Sequence, residues 1–144
     1  MKKEALFYDK KDNNIILCKL CPHACMIYPD KTGVCLVRKN FQGNLYSEYY
    51  ASACSCAVDP IEKKPLYHYF PGNKILSLGT VGCNFKCLFC QNWTISQEVK
   101  EYTEDILPNE IIHILKKYKV FGVAYTYNEP FIWYEYVYDS SKLV

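Results

Sequence analysis

K-I-L-S-L-G-T-V-G-C-N-F-K-C-L-F-C-Q-N-W, residues 74–93, joins a short apolar run to three closely spaced thiols. Lys74 to Thr80 suits a buried strand, and Cys83, Cys87 and Cys90 follow at its C-terminal end. No cysteine occurs beyond Cys90. The spacing C-x3-C-x2-C corresponds to positions i, i+4 and i+7, so a helical turn or a curled loop can aim all three sulfurs at one point.

Three functions compete for such a triplet. Small cysteines can line the core face of a helix, but Gly82, Asn84 and Lys86 make a regular buried helix an awkward host. Structural zinc takes four protein ligands, so the fourth would come from a distant cysteine or from His113. A four-iron, four-sulfur cluster held at three corners suits the count, because one iron is left open for something that is not protein. An open iron at the C-terminal end of a parallel strand lies where α/β barrels place their chemistry.

The whole chain bounds these readings. At 144 residues it amounts to about one domain, and half of it is apolar. That composition excludes disorder. The net charge of +2 arises from 17 basic and 15 acidic residues scattered along the chain, without the basic stripe that tracks a phosphate backbone; no nucleic acid partner is expected. The start M-K-K-E-A-L-F-Y-D-K-K holds too short an apolar patch for a signal peptide, and no run reaches membrane-spanning length. A cytoplasmic location without membrane attachment is expected. Nine cysteines in a reducing compartment favour metal or cluster ligation over disulfides.

Two parts differ in their punctuation. Residues 1–72 hold six of the cysteines, turn signals at Asp12-Asn13-Asn14, Pro29-Asp30 and Gly43-Asn44, and β-like runs such as Leu45 to Tyr50. This predicts a small loop- and β-rich segment held by a metal rather than by a large core. From residue 73 to 144 the pattern alternates. The Lys74 strand is followed by a helix opened by Pro108, with Ile111, Ile112, Leu115 and Tyr118 on one face and Lys116, Lys117 and Lys119 at its negative end. Val120 to Tyr127 reads as a second buried strand. Pro130 opens another helix with Phe131, Tyr134 and Tyr138 on one side. The expected class is α/β, with parallel pairing and right-handed crossovers.

C-N-F-K-C-L-F-C resembles the signature of the radical S-adenosylmethionine enzymes, C-x3-C-x-aromatic-C, with Phe89 at the aromatic position. Further stretches extend the resemblance over nearly the whole chain. They are C-x2-C-P-x2-C at 18–25, G-V-C-L-V-R-K-N at 33–40, D-P-I-E-K-K-P-L-Y-H-Y-F-P-G at 59–72, C-Q-N-W at 90–93 and Y-T-Y-N-E-P at 125–130. Together they are similar to the AmmeMemoRadiSam-system branch, related to the pyruvate formate-lyase activating enzymes.

The resemblance implies a partial (β/α) barrel, of which about two β-α units are present here, preceded by the cysteine-rich segment. It implies a [4Fe-4S] cluster on Cys83, Cys87 and Cys90, and S-adenosylmethionine chelating the open iron through its amino and carboxylate groups. Reductive cleavage would give a 5′-deoxyadenosyl radical that removes a hydrogen atom from substrate, another protein being one candidate. Phe89 would pack near the adenine. Asn128 and Glu129 resemble the end of a G-G-E-P element that holds the cofactor's amino group, Tyr127 and Asn128 standing where that element has glycines. A flavodoxin- or ferredoxin-like electron donor and two companion proteins of the same gene neighbourhood are the implied partners.

Cys18, Cys21, Cys25 and Cys35 form a second group, C-x2-C-x3-C-x9-C, whose four thiols suit either zinc or a fully ligated second cluster. Cys54 and Cys56 alternate as strand residues do and are expected to be buried small hydrophobes on one side. His23 is expected at the surface, and Lys63-Lys64 reads equally as an exposed charged turn. A non-catalytic module with two zinc sites is the competing function. Two strand-helix units fall well short of the roughly 250 residues of a full barrel, so the chain is expected to be the first part of a longer protein.

Overall fold

The computed structural model describes residues 1–99 and 103–144. Strands β1 (Lys3–Glu4), β2 (Tyr8–Lys10), β3 (Ile16–Cys18), β4 (Met26–Ile27), β5 (Arg38–Phe41) and β6 (Asn44–Ser47) come first. They form two antiparallel sheets, ordered β2-β3-β4 and β1-β6-β5. The β5–β6 hairpin closes through Gln42 and Gly43, both at positive φ (51° and 84°), the geometry that matches the right-handed twist of the strands it joins. Ala5, Ile16, Leu20, Ile27 and Leu45 bury together between these strands. The segment therefore has a small apolar core of its own, which includes Cys18 and packs against Cys25.

The rest of the chain is organised on a mixed sheet. It adds β7 (Ser52–Ala53), β8 (Ser55–Pro60), β9 (Lys74–Gly79), α1 (Trp93–Gln97), β10 (Glu104–Asp105), α2 (Pro108–Tyr118), β11 (Val123–Tyr125) and α3 (Tyr134–Ser141). The sheet order is β11-β9-β8, with β11 parallel to β9 and β8 antiparallel to it. One parallel pair with an intervening helix is present as expected, but the third strand runs the other way. It comes from before residue 72, where the sequence offered no helix to carry a crossover. The fold is mixed α/β and richer in sheet than expected.

Leu76 and Leu78 of β9 point to one face, where they pack with Ile111, Val120, Trp133 and Tyr136. Ser77, between them, faces the other side, because side chains alternate along a strand. Helix α2 starts as its sequence predicts, the Glu110 carboxylate accepting the Leu107 N–H at 2.6 Å. Its inward face is corrected to Ile111, Ile114 and Leu115, while Tyr118 is exposed. The second strand is shorter than Val120 to Tyr127. Val120 is still engaged in closing α2, its N–H donating to the Leu115 carbonyl, and the exposed Phe121 ring meets Tyr69 and Phe70. Pro130 opens a 3-10 turn (Pro130–Trp133) that leads into α3, where Phe131 meets Tyr134 edge to face and Tyr134 stacks on Tyr138.

Several links cross the position where the sequence pattern changes. Strand β10 pairs with β7, Arg38 forms a buried ion pair with Glu135, and the Trp133 indole N–H donates to the Tyr49 carbonyl at 2.8 Å. Cys54 is half-buried, with its thiol against the Gly79 and Thr80 carbonyls, whereas Cys56 is exposed on β8. The expected shared burial of these two is thus not found: Cys56 sits on the edge strand β8, where it borders an open pocket with Ile114 and Tyr118. Among the described residues no helix is long and apolar enough to cross a membrane.

Candidate functional site

The thiol-bearing loop leaves β9 at its C-terminal end and is fixed at its start. The Thr80 hydroxyl donates to the Ser52 carbonyl at 2.9 Å, Val81 is buried, and the Gly82 N–H donates to the Ile95 carbonyl at 2.7 Å. Gly82 adopts φ +78°, where only glycine is unstrained. Cys83 is buried and its sulfur accepts the Phe85 N–H at 3.4 Å. His23 is exposed, as expected, and its Nε2 donates to the Asn84 carbonyl at 2.8 Å, so this surface histidine also braces the loop.

Beyond Asn84 the loop opens to solvent. Cys87 is exposed, Leu88 and Phe89 project outward with Phe89 87% accessible, and Cys90 is half-buried with its N–H on the Cys87 carbonyl. The loop's far side is tied to α1, where Gln97 meets both the Lys86 ammonium and the Phe85 carbonyl. Among the described residues, no group of three or more His, Cys, Asp or Glu converges as a metal site. The donor set nevertheless fits a cluster held at three corners. Three thiols stand on one eight-residue stretch, and the buried Asn84 side-chain oxygen beside Cys83 has no protein partner. A buried acceptor of that kind is met by water or by a bound group. An exposed Cys87 arm is free to close on a cluster, as metal-coupled folding requires.

The Y-N-E-P turn lies at the same edge. The Thr126 N–H donates to the Leu78 carbonyl at 2.8 Å, which carries the chain past the end of β9. Tyr127 then takes φ +75°, a glycine-like conformation in a residue with a ring. The ring lies where a side chain on Gly79 would stand, 2.8 Å from an ideal Cβ there. The Asn128 amide donates to the carbonyls of both Thr80 and Gly82, at 2.7 Å each. Asn128 therefore holds the thiol loop in place through its side chain. Glu129 caps the 3-10 turn, accepting the Phe131 N–H at 3.2 Å through one carboxylate oxygen. The structure thus brings Cys83, Asn128 and Glu129 to one edge and leaves Phe89 facing solvent.

Of the second group, Cys18 ends β3 and is buried, Cys35 is buried, and Cys21 and Cys25 are half-buried. The Cys18 N–H donates to the Cys25 carbonyl at 2.9 Å, so the intervening turn folds back on itself. Burial pushes the Cys18 and Cys35 thiols up from their ordinary value, and each is raised further by the charge of Cys25 nearby. Cys18, Cys25 and Cys35 are thus near enough to sense one another, although they are not drawn to a single point.

A third constellation was missed in the sequence. Asp59 is buried on β8 and receives Lys63, Lys64, the Ser77 hydroxyl and the Tyr127 hydroxyl, at 2.9, 2.9, 2.7 and 3.2 Å. Hydrogen bonds from Lys63, Ser77 and Lys64 hold its carboxyl far below the usual range. The reading of Lys63-Lys64 as a merely exposed turn is corrected, since Lys64 is nearly covered. The signal available was D-x3-K-K, which places both lysines one turn beyond the aspartate.

Comparison with known proteins follows the same geography. The chain is 45% identical over 143 residues to Uncharacterized protein MJ0808 of Methanocaldococcus jannaschii, covering 98% of this chain and 43% of that protein. It is 31% identical over 96 residues to Uncharacterized protein MJ0674 of the same organism, covering 66% of this chain and 22% of that protein. The chain thus spans less than half the length of these curated relatives. No solved structure matches it significantly. Residues 77–144, which contain the Cys83, Cys87 and Cys90 loop and the Y-N-E-P turn, match the Radical SAM superfamily.

Proposed function

We propose that the C-terminal edge of the β9–β11 pair forms the cofactor end of a radical S-adenosylmethionine enzyme of the AmmeMemoRadiSam-system branch, similar to pyruvate formate-lyase activating enzymes. The carrying observation is the Asn128 side chain. By gripping Thr80 and Gly82 it locks the thiol loop to the turn that bears Glu129, so a three-thiol site and a carboxylate share one edge. Cys83, Cys87 and Cys90 would hold a [4Fe-4S] cluster, and the absence of a fourth cysteine nearby leaves one corner for S-adenosylmethionine. When bound, these groups supply reductive C–S cleavage and a radical competent to abstract hydrogen from substrate.

The chain's own residues bind and orient. Glu129 offers its second oxygen to a cationic amino group, Tyr127 and Asn128 shape the turn, and Phe89, unencumbered by packing, is placed to cover an adenine once the loop closes. A flavodoxin- or ferredoxin-like protein is the proposed electron donor, reaching the site over the solvent-exposed Cys87 side. Cys18, Cys21, Cys25 and Cys35 are proposed to bind zinc or a second cluster. The full activity, the substrate and the companion proteins are proposed for a longer protein of which this chain would be the first part.

Anaerobic reconstitution with iron and sulfide tests this reading. The wild-type chain should gain broad visible absorption and, relative to Cys87→Ala, about four more irons per chain. Equal iron and equal absorption in Cys87→Ala would show that the cluster is not held at Cys87, and zinc uptake without visible absorption would favour the two-zinc module instead.

A further inference from the structure

On the sheet face opposite Leu76 and Leu78 lies a cavity of ≈ 500 Å³ bordered by Lys63, Lys64, Gln91, Asn92, Tyr127 and Asn128, with Asp59 at its base. Gln91 and Asn92 directly follow Cys90, and Asn128 directly precedes Glu129, so this cavity opens beside the proposed cofactor site. Its wall is braced: the Asn92 amide donates to the Tyr127 carbonyl at 2.8 Å. Two ammonium groups and one carboxylate among the lining residues leave a surplus of one positive charge.

The two lysines are not equivalent. Lys64 is only 13% exposed, pairs with Asp59 Oδ2, and its ammonium lies 5.3 Å from the centre of the Tyr127 ring. Lys63 is 66% exposed and pairs with Asp59 Oδ1. Asp59 also keeps Lys64, the Ser77 hydroxyl and the Tyr127 hydroxyl as partners, so it does not depend on Lys63 alone. Lys63 can therefore swing to an incoming anion while Lys64 keeps Asp59 neutralised.

We infer that this cavity binds a carboxylate group of the substrate processed at the neighbouring cysteine loop, with Lys63 as its anchoring cation. This rests on the proposed function for the word substrate, but not for the binding itself. A carboxylate fits better than a phosphate. The lining lacks the arginine fork that favours phosphate. The bound group would meet the Lys63 ammonium and the side-chain amide of Gln91, two donors suited to two carboxylate oxygens.

The test is an amide chemical-shift titration of the ¹⁵N-labelled chain without iron, using succinate as probe and sodium chloride at matched ionic strength as control. Saturable shifts centred on Gln91, Asn92, Tyr127 and Asn128 are expected. Lys63→Gln should weaken binding at least about tenfold, and Lys63→Arg should restore it to within about threefold. A parallel titration with S-adenosylmethionine distinguishes the other source of a carboxylate: Lys63→Gln should leave its affinity unchanged. Absence of saturation, equal succinate affinity in Lys63→Gln, or loss of S-adenosylmethionine binding in that variant would each overturn the inference. Because no cluster is needed, failure of iron uptake at Cys87 is scored separately and leaves the succinate result standing.

Discussion

Gly82 and Cys35 touch backbone to backbone: a Cβ at position 82 would stand 2.3 Å from the Cys35 carbonyl oxygen and 2.7 Å from a Val37 methyl. The turn carrying the second cysteine group is therefore wedged against the first residues of the thiol loop. Gly82→Ala should destabilise the chain by roughly 2–5 kcal/mol, combining about 1–2 for a left-handed L-residue with about 1–3 for overpacking. Urea unfolding measures it. An unchanged midpoint would show that the two loops do not press on each other.

On the proposed function the two thiol groups remain separate sites despite this contact. Cys21→Ala should remove the metal bound by the N-terminal group and lower the stability of that segment, yet leave the visible spectrum of the reconstituted Cys83 loop largely intact. Metal analysis with absorption spectroscopy decides. Loss of the spectrum in a protein that remains folded would mean that all the thiols serve one centre.

Arg38, the chain's single arginine, and Glu135 are each 1% exposed and paired in two parallel contacts. Removing one partner strands a buried charge. Glu135→Gln or Arg38→Met should cost about 3–5 kcal/mol, whereas joint replacement by Met and Leu should cost far less. A double-mutant cycle by denaturant unfolding checks this; additive losses would contradict it.

Asp59 gives a pH dependence with a definite sign. Its carboxyl is held below its ordinary value of 3.8 by Lys63, Ser77 and Lys64, so the folded state favours the ionised form. The resulting stabilisation is complete above that ordinary value and is lost as pH falls toward the folded-state value. Asp59→Asn should be less stable than wild type at neutral pH, and the gap should narrow below about pH 4. Thermal melts across that window measure the difference, and a gap that widens on acidification would reverse the assignment.

How much of this the sequence carried depends on the range of the interaction. The β9 strand, the α2 start at Pro108 and the parallel β11 follow from local pattern and turn chemistry, and they lie where expected. The antiparallel β8 was not legible, because S-C-A-V-D-P alternates weakly and its partner is set by register with β9. The thiol loop announced itself by spacing. Asn128 as the residue that grips Thr80 and Gly82 did not, since a long-range side-chain contact leaves no periodic mark. Lys63 and Lys64 looked like a surface turn for the same reason: what holds them also depends on Ser77 and Tyr127, far along the chain.

The N-terminal sheets take key polar partners from the last helix. Leu6 N–H and the Arg38 guanidinium meet Glu135, and Lys3 and the Tyr50 hydroxyl meet Asp139. Arg38 and Glu135 are 97 residues apart in sequence. On a ribosome adding about 5–20 residues per second, Arg38 is thus made several seconds before its counter-charge exists. During that interval the segment cannot finish burying its guanidinium, and its apolar strands wait in a half-closed state. Translation speed between these two codons therefore sets how long the nascent chain is open to chaperones, to premature metal capture by its four cysteines, or to aggregation.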